Sequence, residues 1–582
     1  YSSLVNHKSL NLTLIQIHTM KKISLIFLLS AVCASYFSQN TSNEAQIHGN
    51  VQTDVQFYNP DSLIGAPAVP EKMLMNGFAN INFTKGNFAA GIRYESYLNA
   101  LQGFPTGYRG TGIGYRYASY KLDDIEVTAG NFYEQFGSGM VLRAYEERGL
   151  GYDNALDGFR IKYNPYRGVY LKGIYGKQRL FFEKGPGIVR GIDGEVVINE
   201  LSDSLDKMKT RIILGGSFVS KYQEDDNQAL ELPQNVGSYA GRINLYRGPL
   251  ALSAEYVEKI NDPSADNFFI YKKGQALLLN TAYSVKGFGA SFTAKSIDNM
   301  SFRSDRNQGE TNVFINYIPA TTKQHTYNLA ATLYPYAVQP NGEVAYQGDI
   351  SYKFKKKKKF NADGTRDKTS FNWRKYDTYI SVNYSTAHAL DSSRVADDSI
   401  TKQGYTTNFF TPGKRIYFSD FNIELKRKLS PKARFVYTYF NMRYDKDIIE
   451  GKINEGVVNA QIHVLDFTYK INPKNTIRAE AQHLGTNKKD GFYKDQGNWA
   501  TGLIEYTISP GWSFSILDQY NYGNDDAEKK IHYLFGSVGY IHDATRFTLS
   551  YGRQRAGIFC IGGVCRVVPA SNGISFSMTS TF

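Results

Sequence analysis

NGISFSMTSTF, residues 572–582, places Ile574, Phe576, Met578 and Phe582 on one face of an extended chain, and Ser575, Ser577, Thr579 and Thr581 on the other. Successive side chains of a strand point to opposite faces, so this stretch reads as a strand with one apolar and one polar side. The pattern recurs upstream. SDFNIELK (419–426) sets Phe421, Ile423 and Leu425 against Asp420, Asn422, Glu424 and Lys426. TIRAEAQ (476–482) sets Ile477, Ala479 and Ala481 against Arg478, Glu480 and Gln482, and RFTLSYG (546–552) repeats the arrangement. A soluble sandwich also alternates, so the strands alone do not choose between a secreted β-protein and a membrane barrel.

The connections choose. Tight turns stand at 164–168, 247–249, 286–288, 430–433, 472–475, 509–512 and 542–545, where Pro, Gly, Asn and Asp supply the geometry. Longer polar loops lie between them, at 59–75, 98–112, 223–235, 260–274, 386–414, 486–497 and 523–530. Short turns at one end and long loops at the other characterise transmembrane β-barrels, with the short ones periplasmic. The expected fold is therefore all-β: one large antiparallel barrel of about 22–26 strands, an even number, with the count favouring about 26. The alternation is weak at 136–166, 188–209 and 298–325. The segment QNTSNEAQ (39–46) is too short for a plug domain, so none is expected.

Met20 opens MKKISLIFLLSAVCASYFSQN: two lysines, a short apolar run and small residues, the pattern of a secretory signal peptide. Residues 1–19 are expected to be spurious upstream translation, 20–38 the signal peptide and 39–582 the barrel. A lipoprotein reading at Cys33 is weaker, because Val32 is large for the preceding position. Cleavage after Ser38 takes three lysines off the formal +13 and leaves a mild positive excess. No basic helix points to nucleic acid; the charge suits lipid headgroups. Tyr (44) and Phe (36) are abundant while mean hydropathy is −0.40, which fits strands with one side in lipid and one in a polar lumen. The expected location is a bacterial outer membrane.

Four stretches could carry chemistry. CIGGVC brings Cys560 and Cys565 into a loop expected outside the cell, where oxidation makes a disulfide the default. So small a closed loop gains about 2 kcal/mol. A metal would need more ligands nearby, and a redox pair would favour C-x-x-C spacing. Residues 130–158 break the alternation and gather Glu134, Arg143, Glu146, Glu147, Arg148 and Asp153 among glycines. They read equally as a constriction folded into the lumen or as a solvated outer loop. KFKKKKKF (353–360) reads as a solvated periplasmic connection in preference to a site for an acidic partner. YGRQR (551–555) continues an outer face with Arg553 and Arg555, where lipopolysaccharide phosphates or simple snorkelling would meet them. No G-x-S-x-G, H-E-x-x-H or nucleophile–histidine arrangement points to an enzyme, and no cofactor is implied.

The alternating final strand ending on Phe582 resembles the C-terminal signal read by the barrel-assembly machinery. Together, 551–582 and GNFYEQFGSGMVLRAYEERGLGYDNALDG (130–158) resemble a family of uncharacterised Bacteroidetes outer-membrane barrels, a domain of unknown function. The resemblance implies an outer-membrane barrel and no ligand residues. Two roles follow as expectations: a porin-like channel for a hydrophilic solute, or a non-transporting barrel that partners other outer-membrane proteins.

Overall fold

The computed structural model describes residues 44–582 except 228, 310, 366–375, 487–496 and 563. The signal-peptide expectation lies outside the described residues. Within them, 24 strands form one antiparallel sheet. Each barrel strand pairs with the next along the chain, from Gln46–Tyr58 to Ser571–Thr581. The last then pairs with the first, from Asn50↔Thr581 to Tyr58↔Gly573, and closes the sheet into a barrel. Closure removes both sheet edges, which is what lets a β-structure satisfy its backbone within a bilayer.

The side chains are arranged inside-out. Ile92, Ile161, Ile192, Phe292, Ile350, Ile504, Leu534 and Leu549 are exposed on the outer surface. Glu95, Asp193, Lys221, Lys295, Asn383, Asp420 and Glu480 are buried in the interior. On the closing strand Ile574 and Phe582 are exposed and Met578 is buried, while Ser577 turns inward to donate to Asp54 at 2.6 Å. An apolar belt on a closed barrel makes this a transmembrane barrel of the outer-membrane type, in contact with lipid over that belt. Ile192, in the middle of Glu183–Val197, tests the belt. Ile192→Arg should destabilise the barrel by about 2–4 kcal/mol in vesicle-based unfolding if that position lies near the bilayer midplane.

The strand count is 24, where the alternation alone favoured about 26. The reason lies in two stretches that were weak as strands. Residues 133–155 form only short pairs with themselves, Glu134–Phe136 with Leu142–Ala144 and Glu146–Glu147 with Tyr152–Asp153. Residues 299–341 leave the strand Phe288–Asp298 and rejoin at Gly342–Phe354, with Asp298 and Gly342 paired directly. Both segments fold into the barrel.

The interior is therefore packed as well as polar. Phe136, Met140, Val141 and Leu142 of the first segment join Phe302 and Ile315 of the second in one buried cluster, against wall residues Val189, Val219 and Val257. A second cluster packs Leu329 and Ala330, on the helix Asn328–Leu333, against Phe440, Ala460, Ile462 and Leu484. On the strand Val457–Lys470 the buried face accordingly reads Val458, Ala460, Ile462, Val464, Asp466. A polar lumen was the expectation. The inward face carries apolar patches where these two clusters pack, beside buried charged and polar groups.

Candidate functional site

The in-folded segment 133–155 is tied to the wall by charge. Arg93 and Glu95 lie two apart on Phe88–Leu98 and so share the inward face, with Nε to Oε1 at 2.7 Å. Arg179, at the end of Val169–Leu180, reaches Glu95 at 2.5 Å and Asp153 at 2.6 Å. Arg93 also pairs with Asp153, and with Glu146 at 2.8 Å. Arg148 pairs with Glu146 at 2.7 Å and donates to Gln52 of the first strand at 3.4 Å. The Tyr133 hydroxyl donates to Asp153 at 3.1 Å.

Three arginines thus face three carboxylates. A balanced set avoids the penalty of an uncompensated buried charge. Its pairs run from the segment to residues of the wall strands, so the network anchors the segment. The other charged residues of the segment do not converge with it. Glu134 faces Lys172 at 2.9 Å, with Arg160 at 3.7 Å and Lys162 at 3.9 Å. Arg143 lies over Tyr145 and Tyr317 at 4.3 and 4.1 Å from their ring centres. Glu147 accepts from the backbone of Gly149. Gly137, at φ +53°, brings the chain so close to Glu255 that a Cβ would meet its carboxylate at 2.7 Å. Ser138 N donates to that carboxylate at 2.8 Å.

The segment 299–341 spans from wall to wall. At one side Arg306 donates to Pro233 O at 2.9 Å, and Gln178 donates to Phe314 O at 2.7 Å. It meets the first segment through Arg143 N to Ile315 O (2.8 Å) and Tyr317 N to Gly139 O (2.9 Å). At the other side Lys323 donates to Asn422, His325 contacts Asp420 at 2.7 Å, and Leu329 N donates to Gln482 at 3.1 Å.

Cys560 and Cys565 form a disulfide across a hairpin, Gly557–Ile561 paired with Val564–Val568, in the last long loop. Carbonyls of this hairpin accept from the second segment: Gly562 O from Tyr317 at 2.6 Å and Cys560 O from Gln324 at 3.2 Å. The tryptic peptide Ala556–Arg566 should therefore gain two hydrogens on reduction. A peptide mass that reduction leaves unchanged would contradict the bridge.

Arg553 and Arg555 do not share an outer face. Arg553 pairs with Asp61 of the first long loop at 2.7 Å. The strand ends at Gln554, so alternation no longer governs Arg555, which turns inward onto Trp499 and Thr332. The basic run at 355–359 lies in the connection between Gly342–Phe354 and Thr378–Arg394, at the short-turn end, where Lys356 meets Asp377 at 3.0 Å.

Between the hairpin and the in-folded segments lies a cavity of about 850 Å³, lined also by the loops around Phe104 and Lys446. Both in-folded segments contribute to its wall, through Tyr145 and Tyr152 and through Phe314, Tyr317 and Tyr334. No group of three or more His, Cys, Asp or Glu among the described residues could hold a metal ion.

A family described as being of unknown function (DUF6029) matches residues 20–582. No curated relative matches. Among solved structures, the P pilus usher (PapC) translocation pore is 9% identical, covering 93% of this chain and 99% of that one, with a TM-score of 0.40. A mutant ferric enterobactin receptor (PfeA) from Pseudomonas aeruginosa is 11% identical, with coverage of 93% and 81% and a TM-score of 0.41. OccK11 (OpdR) from Pseudomonas aeruginosa is 7% identical, with coverage of 94% and 99% and a TM-score of 0.28. At these identities and scores the likenesses carry no argument about function.

Proposed function

Because the chain belongs to a family of unknown function (DUF6029), we propose its role from its own geometry: an outer-membrane passage for a hydrophilic solute, closed at rest by residues 133–155 and 299–341. The observation that carries this reading is the cavity at the long-loop end. It is lined by aromatic residues and Arg303 of the very segments that fill the lumen beneath it, and by charged residues of the neighbouring loops. A solute entering from the long-loop side would meet a shaped chamber before it met the closure. Substrate pockets are commonly concavities of this size with a few placed polar groups. The final strand, with Ile574, Phe576, Met578 and Phe582, would serve as the signal that the assembly machinery reads. Its pairing with the first strand makes it the seam of the barrel.

One observation favours the second reading, a non-transporting barrel that partners other outer-membrane proteins. The in-folded segments are held by two buried apolar clusters, as a permanent filling would be. Swelling of proteoliposomes separates the two. In isotonic gluconate and in isotonic sorbitol, a passage gives slow protein-dependent swelling. Glu146→Lys removes the carboxylate that Arg93 and Arg148 share and puts a third positive charge beside them. It should loosen the closure and speed that swelling. Liposomes that swell in neither solute, with or without the substitution, would leave only the structural role.

A further inference from the structure

The charges around the cavity do not cancel. Asp266 is paired with Arg303 at 2.6 Å, Lys446 with Glu455 at 3.0 Å and Glu450 with Lys452 at 2.5 Å. Two further cations on the wall, Arg555 and Arg566, have no carboxylate partner among the described residues. Among the described residues the Arg555 guanidinium donates to neutral acceptors: Gln519 at 2.9 Å, Ala556 O at 3.2 Å and the Thr332 hydroxyl. Its flat face lies 5.4 Å from the ring centre of Trp499. Arg566 spends Nε on Gly149 O at 3.0 Å and lies over Phe104 at 4.6 Å. Its Nη1 is buried without a hydrogen-bond partner among the described residues.

Even a half-buried cation without a counter-charge bears a desolvation cost unless something supplies one. Both guanidiniums register that cost. Burial pulls Arg555 down to about 10 and lowers Arg566 as well. The guanidinium fork is suited to carboxylate and phosphate, and an arginine held on an aromatic face is already oriented for them. The rest of the wall is largely aromatic and aliphatic, with Phe104, Tyr317, Ile318 and Leu333 among its residues.

We infer that this cavity binds a small organic anion, a carboxylate or phosphate on an apolar or aromatic body, through Arg555 and Arg566. The inference rests on the proposed passage, since it names the class of solute that the chamber would receive. The anion's oxygens take the free guanidinium donors, and its body packs against the aromatic wall. Neutral sugars and cations lack the first of these interactions.

Calorimetric titration of the full-length protein in detergent with 1-naphthyl phosphate tests the site. 1-Naphthalenemethanol serves as the uncharged comparator with the same ring. Binding is expected for the phosphate and not for the alcohol, and it should weaken as salt is raised. Arg555→Gln and Arg566→Gln should each weaken it at least ~10-fold, the scale of one charge-assisted hydrogen-bonded contact. Arg211→Gln, at the short-turn end, should leave it unchanged. Arg566→Gln keeps the test usable if Arg555→Gln fails to fold, because among the described residues Arg566 makes one hydrogen bond, to the Gly149 carbonyl. No binding of the phosphate, equal binding of the alcohol, or unchanged affinity in Arg566→Gln overturns the site. Arginine-dependent binding without solute passage would keep the site and remove the passage. Passage without binding would keep the passage and overturn the site.

Discussion

Excision of residues 299–341, with Asp298 joined to Gly342 through a short turn, should raise single-channel conductance at least ~10-fold, since barrels of only 16–18 strands already leave an aqueous channel. The excision is feasible because Asp298 and Gly342 are register partners, so a tight connection replaces the excursion without moving either strand. The segment crosses the interior from Pro233 to Gln482, so its loss clears the widest obstruction. It also uncovers apolar wall positions such as Ala460 and Ile462, which will lower stability while the sheet remains closed. Retained heat-modifiable gel migration identifies the folded barrel. A folded variant that conducts no more than the parent would show that this segment is not the closure.

Arg93→Ala should be the most damaging single substitution in the network, at about 3–5 kcal/mol, the range for removing one partner of a buried charge set. The Arg93 side chain is 4% exposed and is the only group among the described residues in contact with all three of Glu95, Glu146 and Asp153. Its loss leaves three carboxylates against two arginines. Arg116→Ala offers the contrast. Arg116 pairs with Asp157 at 3.3 Å but is 56% exposed, and an exposed pair contributes no more than about 1 kcal/mol. Urea unfolding in lipid vesicles reads both. Similar midpoints for the two variants would mean that the network is not the anchor. Adding Asp153→Asn to Arg93→Ala should recover part of the loss, because it removes one of the stranded charges.

The barrel was legible in the sequence because the outward face of its strands is apolar where lipid lies against it. Ile477, Ala479 and Ala481 lie opposite Glu480 and Gln482 wherever lipid is on one side and polar lumen on the other. The tight turns were legible for the same reason: SPKA and NPKN carry their geometry in their own residues. What the alternation could not show was the filling. Val458, Ala460 and Ile462 face inward and are apolar, which is intelligible only once Leu329 and Ala330 are seen against them. Residues 298–325 were marked by weak alternation, and 130–158 by clustered glycine and charge, but neither signal says whether a stretch turns inward or out.

The anchor was half legible. Glu146, Arg148 and Asp153 stood out by charge. Arg179, which bridges Glu95 and Asp153, sits at a strand end far away in sequence and had no local mark. Arg555 was legible as a basic residue and misplaced by extending the alternation one residue beyond the strand.

The most direct test is the current through the unmodified full-length protein in a planar bilayer. The expected record is a closed baseline with brief, small openings, as befits a passage filled by its own chain. A steady current of the size an empty 24-stranded barrel would carry contradicts the filling. A baseline that stays silent at every voltage, in the parent and after excision of 299–341 alike, contradicts the passage.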